Sequence, residues 1–180
     1  MNIDAIFARF YTGNPELLST VGIHSGCVAD KALGCLRSNG IEADMTFVEE
    51  AALLHDIGVV RCDAPSIFCF GTLPYIRHGV EGRMMLESIG LPRHALVCER
   101  HTGSGLTVED IDRQHLPLPR RDMLPLSIEE KAICYADKFF SKSGNLREEK
   151  SLSKVISQME AHGEDALRRF LELRTIFGKC

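Results

Sequence analysis

Ala51-Ala52-Leu53-Leu54-His55-Asp56-Ile57-Gly58 carries an apolar helical run straight into an imidazole and a carboxylate, with a glycine two residues later. Upstream, Thr46 and Glu49 have the spacing of a capping box that would open this helix, and Phe47, Ala51, Leu54 and Gly58 fall on one face. A helix whose last turn enters an interior does not finish on two costly polar groups without company, because a buried charge must be paired or must coordinate a metal. Adjacent helical side chains point about 100° apart, so His55 and Asp56 reach a single ion only at a helix end, which the Gly58 break would supply. Asp56, with two oxygens, is the natural group to bridge a second ion.

Working outward, the same helical period recurs along the chain. Ile3, Ile6, Phe7 and Phe10 form one short amphipathic stripe, and Gly13-Asn14-Pro15 breaks it. Leu17, Leu18, Val21, His24, Val28, Ala32 and Cys35 then mark a longer helix that closes at Ser38-Asn39-Gly40, with His24 on its apolar side. Between Val59 and Tyr75 the period dissolves among Pro65, Gly71 and Pro74, which predicts an ordered, partly apolar loop or short helix. Its aromatic residues suit a cover over a site, packed structure or an oligomer contact equally well. Further helices are expected over about 76–89 and from Leu91-Pro92 to His101. The stretch from Thr107 to Leu126, with three prolines, reads as a surface excursion. Ser127 and Glu130 make a second capping box ahead of Ile133, Cys134, Asp137 and Phe140, and one or two amphipathic helices follow over about 147–177. No convincing two-residue alternation and no internal repeat is present. The expectation is an all-α, single-domain helical bundle over residues 1–180.

At 180 residues the chain is long enough for a sizeable core, and 44% hydrophobic with 26% charged residues is the balance of a soluble globular domain. A net charge of −4 gives no basic field for duplex nucleic acid or an anionic membrane, so an anionic small molecule needs a metal ion or a few placed cations to hold it. Seven scattered cysteines without a C-x-x-C pair read as reduced core thiols, and no leader-like or membrane-length apolar run is visible, which together predict a cytoplasmic protein.

The polar residues on inward faces are His24, His55, Asp56, His78, His101 and Asp137, spread over five expected helices. Imidazoles with carboxylates suit zinc, iron, manganese, cobalt or nickel, and helical bundles build such sites from facing helices. His94 shares a face with Cys98 and His101 and competes with His101, which is preferred because it borders the glycine-rich exit Thr102–Gly105. His115 and His162 lie in polar surroundings and receive no role.

The order His24 … His55-Asp56-Ile57-Gly58 … Asp137 resembles the HD-domain metal-dependent phosphohydrolase superfamily in its HDIG-type subgroup, over about residues 20–142. Leu91-Pro92, Glu99-Arg100-His101-Thr102-Gly103, Glu129-Glu130-Lys131 and Ala136-Asp137-Lys138 also look like a small uncharacterised HDIG subfamily. The Gly-Tyr-Pro signature of cyclic-di-GMP phosphodiesterases is missing after His55-Asp56. The resemblance implies one ion held by His24, His55, Asp56 and Asp137, and a second held by His78 and His101 with Asp56 shared. It implies hydrolysis of a nucleotide or other small phosphate ester through a metal-activated water, with Asp56 central to catalysis. Lys138 is the leading candidate to meet the phosphate, followed by Arg77 and Arg100, although such side chains also serve simply to cover apolar surface. The same six-ligand order resembles the HD-type mixed-valence di-iron oxygenases, and a non-catalytic nucleotide-binding module is a third reading. Homo-oligomerisation is left open.

Overall fold

The computed structural model describes residues 1–178 and 180. Its order is α1 (Ile3–Phe10), α2 (Pro15–Ser38), α3 (Met45–Leu54), a two-stranded hairpin β1 (Asp63–Ala64) and β2 (Cys69–Phe70), then α4 (His78–Glu87), α5 (Pro92–Arg100), α6 (Val108–Arg113), α7 (Ile128–Asp137), α8 (Leu152–Ala161) and α9 (Glu164–Phe177). The expected all-α class holds. The hairpin corrects the expectation of no strand: each strand is two residues long, too short for any alternation to register in sequence.

Local chemistry sets most boundaries. Asn14 caps α2 by accepting from the Leu17 amide, with Pro15 in the first turn, and the helix ends on Asn39. The cap of α3 is Asp44, whose carboxylate accepts from the Phe47 amide, so the expected Thr46–Glu49 box does not form. Ser127 caps α7 as expected, but the Glu130 side chain bonds the Leu126 amide and Arg100 instead of closing a box. The expected surface excursion contains α6, opened by a reciprocal Thr107–Asp110 capping box, and Ile111 and Met123 bury against Val80.

Two hydrophobic clusters divide the interior. One joins α2, α3 and α7 to α8 and α9, with Tyr135 stacked on Phe170 and flanked by Phe177. The other joins α1, the start of α2, the end of α3, the hairpin and α4–α5, and includes Phe7, Tyr11, Leu17, Leu54 and Cys98. Within α2, Val21 belongs to the second cluster and Val28 to the first, so the polar side chain between them, His24, stands at their junction.

Gly58 does not break the chain as expected. α3 has already ended at Leu54, and Gly58 sits inside a 3-10 turn (Ile57–Arg61). Its hydrogen is needed for space: a Cβ there would stand 2.1 Å from the His78 carbonyl oxygen and 2.3 Å from the Gly82 nitrogen. On the other side of α4, a Cβ on Gly79 would meet the Cys98 carbonyl oxygen at 2.6 Å. α4 is thus wedged between the turn and α5 at backbone contact, which only glycine permits.

The cysteine reading needs one correction. Cys35, buried in α2, is disulfide-bonded to Cys180, a pairing across 145 residues of sequence that spacing could not indicate. Cys27, Cys62, Cys69, Cys98 and Cys134 are free thiols. None of the described helices is long and apolar enough to cross a membrane.

Candidate metal centre

His24, His55, Asp56 and Asp137 converge, with one ligand atom from each lying within 4.8 Å of all the others, and Asp56, His78 and His101 form a second such group. His24 comes from the middle of α2. His55 and Asp56 follow α3, His78 opens α4, His101 follows α5 and Asp137 closes α7. All six are buried. The corner is braced from below by the Tyr11 hydroxyl, which donates to the carbonyls of Asp56 and Ile57.

Asp56 is shared between the groups by its two oxygens. Oδ2 lies 3.3 Å from His24 Nε2 and 3.1 Å from His55 Nε2, while Oδ1 lies 3.4 Å from His101 Nε2 and 3.6 Å from His78 Nε2. Asp137 Oδ1 closes the first group at 3.0 Å from His24 Nε2 and 3.4 Å from His55 Nε2. Neither Asp56 oxygen, nor His55 Nε2, has a hydrogen-bond partner of acceptable geometry among the described residues. Buried charge in this condition is costly unless cations complete it; one, the Lys142 ammonium, lies 2.8 Å from Oδ2, and only imidazoles face Oδ1.

The imidazole tautomers point the same way. His55, His78 and His101 each direct Nδ1 at the carbonyl three residues earlier, at 2.6 Å (Ala52), 2.7 Å (Tyr75) and 2.7 Å (Cys98). A carbonyl only accepts, so each Nδ1 carries a hydrogen and a neutral ring presents a bare lone pair at Nε2. The Nε2 atoms of His78 and His101 then face each other at 3.0 Å, an arrangement that two lone pairs tolerate only around a shared positive charge. Burial and the neighbouring His101 hold the His78 pKa down at about 3, so a proton is not its ordinary companion. His55 differs: burial pulls its pKa down, but the carboxylates of Asp56 and Asp137 override this and raise it to about 9. Burial works against ionisation of Asp56 too, yet His55 and Lys142 keep its carboxyl well below the usual range. The donor set, its orphaned oxygens and its oriented rings fit a divalent metal ion.

A cleft of about 420 Å³ opens beside this corner, lined by Tyr75, Asp137, Lys138, Lys142, Lys150 and His162 among others. Lys138 Nζ lies 2.7 Å from Asp137 Oδ2 and donates to the His101 carbonyl, so it reaches the site as the sequence suggested. Arg77 instead turns to Glu81 and the Pro117 carbonyl, and Arg100 bonds both oxygens of Glu130. Their charge is already matched by carboxylates. Lys142, passed over in the sequence, places Nζ 2.8 Å from Asp56 Oδ2, and burial disfavouring its charge is overcome by Asp56 and Asp137, which raise its pKa. α7 has ended by then, so helical periodicity could not reach it; the available signal was a second lysine close behind Lys138.

His94 lies away from the cluster, edge-on to Phe47 and 3.5 Å from Glu50. His115 is exposed, and His162 is exposed at the rim of the cleft. Of the 59–75 segment, Ile67 and Cys69 are core residues and Phe70 is exposed, while Tyr75 stacks on His78 and lines the cleft.

Comparison with known proteins adds a family. The family model of the HD domain matches residues 21–141. An uncharacterised protein of Methanocaldococcus jannaschii is 37% identical over 103 residues, covering 57% of this chain and 53% of that protein. Two proteins named tRNA (cytidine(56)-2′-O)-methyltransferase are also similar. That of Picrophilus torridus is 35% identical over 102 residues, 56% of this chain and 26% of the relative. That of Thermoplasma volcanium is 30% identical over 145 residues, 79% of this chain and 38% of the relative. The chain thus spans about half or less of the length of each of these relatives. No solved structure matches.

Proposed function

Because the chain belongs to the HD domain family, we propose that it is a metal-dependent phosphohydrolase acting on a nucleotide or another small phosphate ester. The observation that carries this reading is Asp56: one fully buried carboxylate whose two oxygens, free of hydrogen bonds among the described residues, face two different pairs of imidazoles. In this reading His24, His55, Asp56 and Asp137 hold one divalent ion, and His78 and His101 hold a second with Asp56 shared. When bound, such ions supply Lewis-acid activation of water and of a phosphoryl oxygen.

The chain's own contribution is orientation and charge. The Ala52, Tyr75 and Cys98 carbonyls fix three imidazoles so that no rotation is needed at the moment of reaction. Lys138 and Lys142 stand where negative charge would gather on a phosphoryl group in the cleft, and Lys150, held by the carbonyls of Lys138 and Phe140, fixes the loop between them. Arg77 and Arg100 join this reading only as outer charges, since Glu81 and Glu130 engage them.

The lysines at the mouth suit an anionic, phosphorus-bearing substrate, and metal identity separates hydrolysis from the oxygenase that the same ligand order could serve. Methyl transfer, the activity for which two relatives are named, is not carried over, because the chain spans well under half of each. In the same reading residues 1–180 form one HD domain, with its metal core at about 20–142 and α8–α9 buttressing α7. The test is metal analysis of protein purified without chelator, followed by phosphate release from nucleotides and sugar phosphates. Release supported by manganese, cobalt or zinc upholds the proposal. An oxygen-sensitive iron pair with no phosphate release overturns it in favour of the oxygenase.

A further inference from the structure

A second chamber, about 180 Å³ and more enclosed, lies behind the lysine-lined cleft and shares Gly103, Met159 and His162 with it as common wall. Most of the surface it exposes is apolar, with Ile76, Leu106 and Leu116 on it, beside the polar side chains of Thr102 and Gln114. Two of its other polar groups are engaged within the protein. The Ser104 hydroxyl donates to the Ala166 carbonyl, and Asp110 accepts from the Thr107 amide and hydroxyl and from Arg113 and Arg169. Arg169 is committed to Asp110 through Nη2, but its Nε–H is buried without a hydrogen-bond partner among the described residues. The chamber therefore offers mainly apolar surface, with the charges of Asp110 and Arg169 matched to each other, beside a cleft lined by three lysines.

We infer that this chamber receives the organic part of the substrate, and that this part is a compact, mainly apolar, uncharged group. The inference rests on the phosphohydrolase reading, which puts the phosphoryl group in the adjoining cleft, and it narrows that reading. An apolar group gains by leaving water for the aliphatic part of this lining.

Calorimetric titration of the metal-loaded full chain with methylphosphonate and phenylphosphonate tests this, because the two share a headgroup, resist hydrolysis and differ only in the organic group. Phenylphosphonate should bind about tenfold or more tightly than methylphosphonate. That ratio should fall toward one in Ala166→Leu and in Gln114→Trp, which fill the chamber from α9 and from the end of α6 respectively. If Ala166→Leu disturbs folding through the Ser104 contact, Gln114→Trp, at an exposed position, decides alone. Equal affinity for both phosphonates in the unaltered protein, or a ratio that survives in the folded variants, overturns the chamber assignment and leaves the hydrolase reading standing. Failure of either phosphonate to bind, together with no phosphate release from any ester, overturns the hydrolase reading and the chamber assignment with it.

Discussion

Asp56, in the turn after α3, and Glu99, in α5, are both almost wholly buried carboxylates, and their surroundings are opposite. Glu99 in α5 is enclosed by guanidinium groups, Arg83 on one oxygen and Arg121 on the other. Asp56 is ringed by the Nε2 atoms of four imidazoles, with the Lys142 ammonium beside one of its oxygens. The first arrangement is complete within the chain. The second is complete only with something added. Burial of charge therefore does not mark a functional site in itself; the state of the charge's partners does.

Substitutions can break this contrast. Asp56→Asn should lower bound metal and cut phosphate release by about a hundredfold or more, and it should also destabilise the metal-free fold, since the buried Lys142 ammonium and the His55 ring lose the carboxylate that pairs them. Metal analysis with a phosphate assay and chelated thermal melts would check both halves. A variant that retained metal and activity would place Asp56 in the same class as Glu99. Gly58→Ala should destabilise by about 3 kcal/mol, because its methyl group must displace the backbone of α4, and metal should be lost with the movement of His78. Denaturant unfolding against bound metal per chain would show the two losses together.

Glu99→Gln should cost a smaller amount, about 1–2 kcal/mol, because Arg83 and Arg121 are partly exposed and recover water, and its metal content should stay at the unaltered level. Metal loss in that variant would mean the two carboxylates are not separable. The last effect is read with pH. His55 is raised from 6.5 to about 9 in the metal-free protein, so its contribution to stability is full below pH 6.5 and is lost as pH rises through about 9. A cation must displace that proton, so metal affinity should climb across the same window with a slope of at most about one proton and level off above it. Chelator-competition titrations between pH 6.5 and 9.5 would show this slope, and a flat profile would mean that His55 meets the ion already neutral.

Much of the helical architecture was legible because α2, α3, α5 and α7 bury stripes at helical spacing and end on recognisable residues. The ligand candidates could be gathered since each is a polar residue on or beside such a stripe. What escaped has physical reasons. Asp44 outcompetes Thr46 as a cap through a bond to the Phe47 amide, which depends on where the chain turns. α6 is six residues long and held by its capping box and three buried side chains, too little for a period. Lys142 lies beyond the last helical residue, and Cys180 meets Cys35 only after the whole chain has folded back. Gly58 carried the right identity for a different reason, since a helix stop and a point of backbone contact look alike in one dimension.

The three carbonyl anchors behind His55, His78 and His101 have a last consequence. With each ring pinned at its far nitrogen by the turn that precedes it, exchange of one ion for another needs no turn of these rings and no refolding. The identity of the resident ion would then be decided by supply and exchange rate in the surroundings, and a single preparation could be converted from one metal form to another by dialysis alone.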